Sequence, residues 1–273
     1  MTEWLLIPLG FVVGVYGTIT GAGGGFLLVP VLLFLYPTAD PASITSISLG
    51  VVFCNSVSGS LAYARAGRID YRSGWVLSGA TVPGAVLGAF AVGLLARGIF
   101  DAIFGLLLIG LGVLSFLQAH PGDRKLPPPE PGMVRRTVTD TLGMRYEYHY
   151  YQWQGILFAA GTGFLSSLLG TGGGFIKVPI MVFLLNFPVH IATATSQFTL
   201  VVMALAGTAV HLAIGDLTLG SGLVELLLLV LGVMPGAQLG AVIARRLHGA
   251  VIIRLLGASL VLVGASLLVR IMS

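Results

Sequence analysis

Charge is what this sequence has least of. Lys, Arg, Asp and Glu make up 9% of its 273 residues, against roughly 25% in soluble domains. Hydrophobic residues reach 56% and mean hydropathy is +0.99, a composition that belongs in a lipid bilayer. Cysteine is nearly absent. Cys54 stands alone, so no internal disulfide can form and redox chemistry indicates no compartment. The opening MTEWLLIPLGF lacks the basic stretch of a cleaved leader and reads as a membrane segment that stays. A pI near 9.5 would suit nucleic acid, but the 14 Lys and Arg are too few and too scattered for a binding face. No Gly-Lys-Ser/Thr phosphate loop occurs. His120, His149 and His248 fall in or near loops, and His190 and His211 stand apart from other ligating types. An enzyme, a metal and a cofactor are therefore not expected.

What is present is apolar sequence in eight stretches, about 4–36, 42–64, 74–96, 98–118, 153–187, 189–214, 220–244 and 250–271. A spanning helix takes about 20 residues. Six stretches fit that length, while the first and fifth are longer and carry the glycine clusters GAGGGFLLVP (21–30) and GTGGGFIKVP (170–179). Seven of those ten positions are identical at an offset of 149. Further matches follow in the same order: ITSISL (44–49) with ATSQFT (194–199), SGSLAY (58–63) with AGTAVH (206–211), and PGAVLG (83–88) with PGAQLG (235–240). The chain thus reads as an all-α integral membrane protein built from a duplicated four-segment repeat. Residues 1–118 form the first repeat, 119–152 a linker, and 153–273 the second.

A continuous helix over the first stretch would be roughly 50 Å long, against a hydrocarbon core of about 30 Å. It is either steeply tilted or folded back at its glycines. Fold-back gives three crossings per half and inverted halves; straight passage gives four and parallel halves. Counting Lys and Arg does not separate the two, because either arrangement places the central loop in the cytoplasm. With hairpins the termini lie outside, and with straight spans inside. The linker contains PPPEPG, a stiff spacer, and then VRRTVTD and MRYEYHYY alternating around Leu142-Gly143 as a short two-stranded hairpin. It reads as a solvated connector.

The glycines ask for a reason, since glycine is among the poorest helix formers. In hydrocarbon, non-helical backbone survives only where protein or a water-filled cavity surrounds it. A break also makes a new helix N-terminus whose free amides and dipole suit an anion, and glycine lets a ligand approach that backbone. Two matched breaks in a duplicated membrane protein mark a transport site near the midplane. The alternative is close helix packing, which is the reading for Gly105, Gly110 and Gly112.

The two GxGGGFxxVP blocks, the dipeptides Thr45-Ser46 and Thr195-Ser196, and the two PGAxxG blocks resemble the sulfite exporter TauE/SafE family. The resemblance covers nearly the whole chain in order. It implies a multi-pass carrier in the bacterial cytoplasmic membrane for sulfite, a sulfonate such as sulfoacetate, or a related small organic anion. The expected partners are that anion, the bilayer and, as the oligomer to test, a second copy; nucleic acid is not among them. An anion channel using the same amides, or a carrier of a non-sulfur organic anion, stands as the rival reading.

The residues expected to bind substrate are Gly23, Gly24 and Gly25, Gly172, Gly173 and Gly174, Thr45, Ser46, Thr195, Ser196, Gln197, Lys177 and Gln238. Lys177 occupies the place of Leu28 in the first block. A lysine at mid-span costs about 2.5–3.5 kcal/mol on insertion scales, so it is either an anion's counter-charge or a side chain that snorkels to the interface. The hydroxyls either meet an oxyanion or bond back to their own helices. Gln197 and Gln238 can donate to sulfonate oxygens. Asn55 and His211 are read as helix–helix hydrogen bonds, Glu225 as interfacial, and Arg65 and Arg68 as charges that set orientation or draw anions in.

Overall fold

A computed structural model describes residues 3–37, 39–92, 97–117, 128, 130–214 and 221–272. Ten α-helices and one β-hairpin follow in order. The first half holds α1 (Leu6–Thr20), α2 (Gly25–Leu35), α3 (Pro41–Arg65), α4 (Tyr71–Val92) and α5 (Arg97–Leu117). The hairpin is β1 (Met133–Thr139) and β2 (Arg145–Tyr151). The second half holds α6 (Gln152–Leu168), α7 (Gly174–Phe183), α8 (Val189–Ile214), α9 (Ser221–Ala244) and α10 (Gly249–Met272). Among the described residues, five helices are long and apolar enough to cross a membrane: α3, α4 and α8 to α10. Pro41 at the first position of α3 brings a φ already suited to a helix start.

The first and fifth apolar stretches are each two short helices folded back at the glycines. Gly24 lies against Val13, eleven residues earlier, and a Cβ on Gly24 would stand 2.6 Å from Val13 Cγ1. A helix running straight on would have carried Gly24 about 16 Å past that point. Each half uses its broken pair in the other half: α1 packs along α9, and α6 along α4. At the centre α3 packs against α8, and on the flank α5 against α10.

The contacts recur in matched pairs. Gly84 abuts the Ala160 carbonyl as Gly236 abuts that of Phe11. Gly23 lies against Val52 and Leu200, and its counterpart Gly172 against Val52. Gly21 lies on Thr193, and Gly170 on Thr45. This corrects the pairing of the Thr-Ser dipeptides. Thr45 corresponds to Thr193, not Thr195, at the offset of 148 that also relates Gly59 to Gly207. Within two unbroken helices one offset must hold throughout, so the two-residue slip in the sequence match was coincidental. Among the packing glycines, Gly105 and Gly112 press against Gly264 and Gly257, whereas Gly110 has nothing within 4 Å of a Cβ.

Within the linker, residues 130–151 are not a solvated connector but pack against the bundle. Strands β1 and β2 pair antiparallel from Met133 with Tyr151 to Thr139 with Arg145. On β2, Tyr148 and Tyr150 turn inward and are buried. The Tyr148 hydroxyl donates to Asp70 at 2.6 Å and the Tyr150 hydroxyl to Ser73 Oγ at 2.8 Å. Both rings pack on Phe187 in the α7–α8 loop, at centroid distances of 4.3 and 5.2 Å. Arg68 pairs with Asp140 at 3.1 Å, both buried, so Arg68 is committed to the hairpin and is not available to draw anions in. The Thr141 amide donates to the Ala66 carbonyl. The α3–α4 and α7–α8 loops therefore share one end of the helix bundle with the hairpin. Straight passage would have put those loops at opposite ends; fold-back puts them together.

Candidate functional site

Each break needs its glycines for two separate reasons. Gly21, Gly23 and Gly24 have φ of +70°, +74° and +82°, and Gly170, Gly172 and Gly173 have +65°, +78° and +70°. That is the left-handed region, which glycine alone enters without a Cβ penalty. Gly25 and Gly174 serve contact instead. A Cβ on Gly25 would stand 2.6 Å from the Thr171 carbonyl carbon, and one on Gly174 would stand 2.5 Å from Ala22 Cα. The two breaks thus touch backbone to backbone at the centre of the molecule. Every residue from Gly17 to Phe26 and from Ser166 to Pro179 is buried.

Gly24 and Gly173 are the N-caps of α2 and α7, and neither cap has a side chain to bond the exposed amides. Among the described residues nothing accepts from the amides of Gly24, Gly25 and Phe26, nor from those of Gly172, Gly173, Gly174 and Phe175. Unpaired buried amides carry a desolvation cost of about 1–3 kcal/mol each unless something occupies the space before them. With the positive ends of two helix dipoles, this is an anion-binding arrangement.

Around the first break most polar side chains are engaged, although Ser56 Oγ, 3.6 Å from a Cβ on Gly23, and Gln197 Oε1 are buried without partners. Ser196 Oγ donates to the Gly21 carbonyl at 2.9 Å, and Asn55 Nδ2 to that of Gly23 at 2.9 Å. Gln197 Nε2 donates to Thr18 Oγ1 at 3.2 Å, and Tyr63 donates to the Thr18 carbonyl at 2.8 Å. Around the second break the hydroxyls of Ser166, Ser167 and Thr171 are buried without partners, as are those of Thr45 and Ser48 on α3.

Lys177 is 3% exposed, on the first turn of α7. Its ammonium donates to Thr199 Oγ1 at 2.9 Å and Thr81 Oγ1 at 3.4 Å. No carboxylate among the described residues pairs with it, and it does not snorkel. A narrow cleft between α4, α6 and α7 reaches it, lined by Leu77, Phe158, Ala159, Thr162 and Met181.

The other expected residues divide. Thr195 Oγ1 accepts from the Asp70 amide at 3.1 Å, and Ser46 donates to its own helix at the Ser43 carbonyl. Gln238 donates to the carbonyl and hydroxyl of Ser58, joining α9 to α3. Asn55 does make a buried bond between elements, at the first break itself. Ser166, Ser167 and Thr171 were not picked out from the sequence, although all three stand in SSLLGTGGGF beside residues that were. Among the described residues no three of His, Cys, Asp and Glu gather as a metal site.

A family profile described as sulfite exporter TauE/SafE matches residues 6–267. The chain is 32% identical to the probable membrane transporter protein YunE of Bacillus subtilis, over 98% of each chain. It is 27% identical to the probable membrane transporter protein MJ0441 of Methanocaldococcus jannaschii, over 76% of this chain and 72% of the relative. A probable membrane transporter protein of Xylella fastidiosa is 27% identical over 88% and 82%. No solved structure matches.

Proposed function

The chain belongs to the sulfite exporter TauE/SafE family of multi-pass membrane transporters, and we propose that its cargo is a small oxyanion bound at the glycine breaks. Sulfite or a sulfonate such as sulfoacetate is the cargo class. The observation that carries this reading is the pair of buried helix N-termini with unpartnered amides, one of them beside an unpaired lysine. Amides and an ammonium offer only donors, and an oxyanion offers only acceptors, so the two are complementary without proton transfer.

The hairpin face is the cytoplasmic one. Arg65, Arg68, Arg72, Arg135, Arg136, Arg145, Arg245 and Arg246 cluster in the hairpin and the loops and helix ends at that face, and Lys and Arg mark the inside. Both termini then lie outside and the halves are inverted. The interlocked pairs α1–α9 and α6–α4 are the bodies that move to expose the breaks alternately to either side. Leaving a negative-inside cell is downhill for an anion by about 2.3 kcal/mol per charge per 100 mV, so export needs no coupling ion.

A channel would use the same amides without alternating access. Counterflow separates the two. Proteoliposomes loaded with unlabelled sulfite will accumulate labelled sulfite transiently against its gradient if the protein is a carrier, and will not if it is a channel.

A further inference from the structure

We infer that the two breaks are not equivalent: the anion is bound at the second, by the amides of Gly172–Phe175 with Ser166, Thr171 and Lys177, while the first is a strut that holds no ligand. This rests on the oxyanion-carrier reading and sharpens it.

The fold supplies its own control, because each residue of one break has a counterpart in the other. Ser166 stands where the first half has Gly17, Thr171 where it has Ala22, and Lys177 where it has Leu28. All three changes add a donor to the second break. The first break has the opposite character. Asn55, which ties the Gly23 carbonyl, faces Met203 at the matching position, and Ser196, which ties Gly21, faces Ser48, which is without a partner. Three amides are free at each break, Gly24–Phe26 and Gly173–Phe175, and the difference lies in the fourth. The Gly23 amide donates to the Gly17 carbonyl at 3.1 Å, whereas the matching Gly172 amide has no acceptor.

The free hydroxyls stand at the amides. Ser166 is fully buried, and a Cβ placed on Gly173 would fall on its side chain. Thr171 lies within the break and is fully buried. That same Cβ would stand 3.3 Å from the Thr162 carbonyl, and Thr162 also lines the cleft that reaches Lys177. Amides from the start of α7 and a hydroxyl from α6 therefore meet at the break, and the Lys177 ammonium, held by Thr199 and Thr81, is linked to them through Thr162. A headgroup with three terminal oxygens on one centre can engage several of these donors at once. One uncompensated cation suits one negative charge, which a sulfonate or hydrogen sulfite carries and sulfate exceeds.

The test exchanges each second-break residue for its first-break counterpart, which the fold already accepts: Lys177→Leu, Ser166→Gly and Thr171→Ala. Asn55→Met and the milder Thr18→Ser (the residue at Ser167) make the reverse exchange. Binding of sulfite, methanesulfonate and sulfate to the purified full-length protein is measured beside its thermal midpoint. Expected are tighter binding of methanesulfonate than of sulfate, at least tenfold weaker binding in Lys177→Leu, and weaker binding in Ser166→Gly and Thr171→Ala. Lys177→Leu should also raise the thermal midpoint, since it removes a buried unpaired charge, which separates loss of binding from loss of fold. Thr18→Ser, and Asn55→Met where it folds, should bind within about twofold of the original. Unchanged binding in Lys177→Leu, or equal loss in folded Thr18→Ser, overturns the asymmetry and leaves the carrier reading standing. No binding of any anion by the unaltered protein overturns both.

Discussion

Ser196 and Gly21 lie 175 residues apart, yet the serine hydroxyl donates to the glycine carbonyl at 2.9 Å. The bond joins a helix of the second half to the break of the first, where the left-handed turn has freed that carbonyl from α1. Its neighbour Thr195 accepts from Asp70, and Asp70 accepts from Tyr148 of the hairpin. A continuous line of contacts therefore runs from the hairpin to the first break.

Ser196→Ala should leave the buried Gly21 carbonyl without a donor and cost about 1–3 kcal/mol. A thermal midpoint measured in detergent will fall. Ser46→Ala, whose hydroxyl serves only its own helix, is expected to leave the midpoint within about 1 °C of the original because only a local back-bond is lost.

Tyr148→Phe keeps the ring against Phe187 but removes the donor to a buried carboxylate. A hydrogen bond to a charged group contributes about 1.5–3 kcal/mol. Limited proteolysis should cut residues 128–151 faster in this variant, while Tyr71→Phe at the exposed start of α4 leaves the rate unchanged.

Acid should release the same hairpin through Asp140. Burial pushes its carboxyl up, but the amides of Met144 and Leu142 and the Arg68 guanidinium outweigh burial and hold it below the ordinary aspartate value of 3.8. A depressed carboxyl stabilises fully above its unfolded value and loses that contribution as pH falls below it. Hairpin protection measured from pH 6 down to pH 3 should fade at the acid end. In Asp140→Asn the acid-dependent part attributable to this pair should be absent, at a lower starting stability, because Arg68 is then buried without its partner.

Sidedness has its own check. Leu142 at the hairpin turn and Trp4 before α1 are both exposed. A cysteine at Leu142, in a protein whose Cys54 is replaced by serine, should resist an impermeant thiol reagent in intact cells. One at Trp4 should react. The reverse pattern would invert the topology.

Much of this architecture was legible in the sequence, and for physical reasons. Glycine repeats where backbone must turn left-handed, so the two GxGGGF blocks located both breaks. Period-two alternation in VRRTVTD and MRYEYHYY coincides with β1 and β2. What escaped was register and partnership. Thr-Ser occurs in both α3 and α8, and only the contacts of Gly21 and Gly170 show that Thr193 is the partner of Thr45. Small hydroxyls are common in membrane helices, so nothing in one dimension distinguishes Ser46, bonded to its own helix, from Ser166, which is not. The tyrosines of β2 gave alternation but not the fact that Asp70 and Ser73 wait beneath them. Arg68 looked like a loop charge because its partner lies 72 residues away.

The most direct test of the transport site is flux of labelled sulfite in proteoliposomes under an imposed potential, with thiosulfate, sulfate, sulfoacetate and acetate as competitors. Gly173→Ala serves as the comparison. Alanine tolerates a left-handed φ at a cost of roughly 1–2 kcal/mol, and its methyl group would fall on Ser166 in front of the second-break amides. The account predicts saturable flux with sulfur oxyanions or sulfonates as the strongest competitors, lost in a Gly173→Ala protein that still folds. Undiminished flux in that variant would remove the amides from the pathway, and no flux of any anion by the original protein would contradict the account at its root.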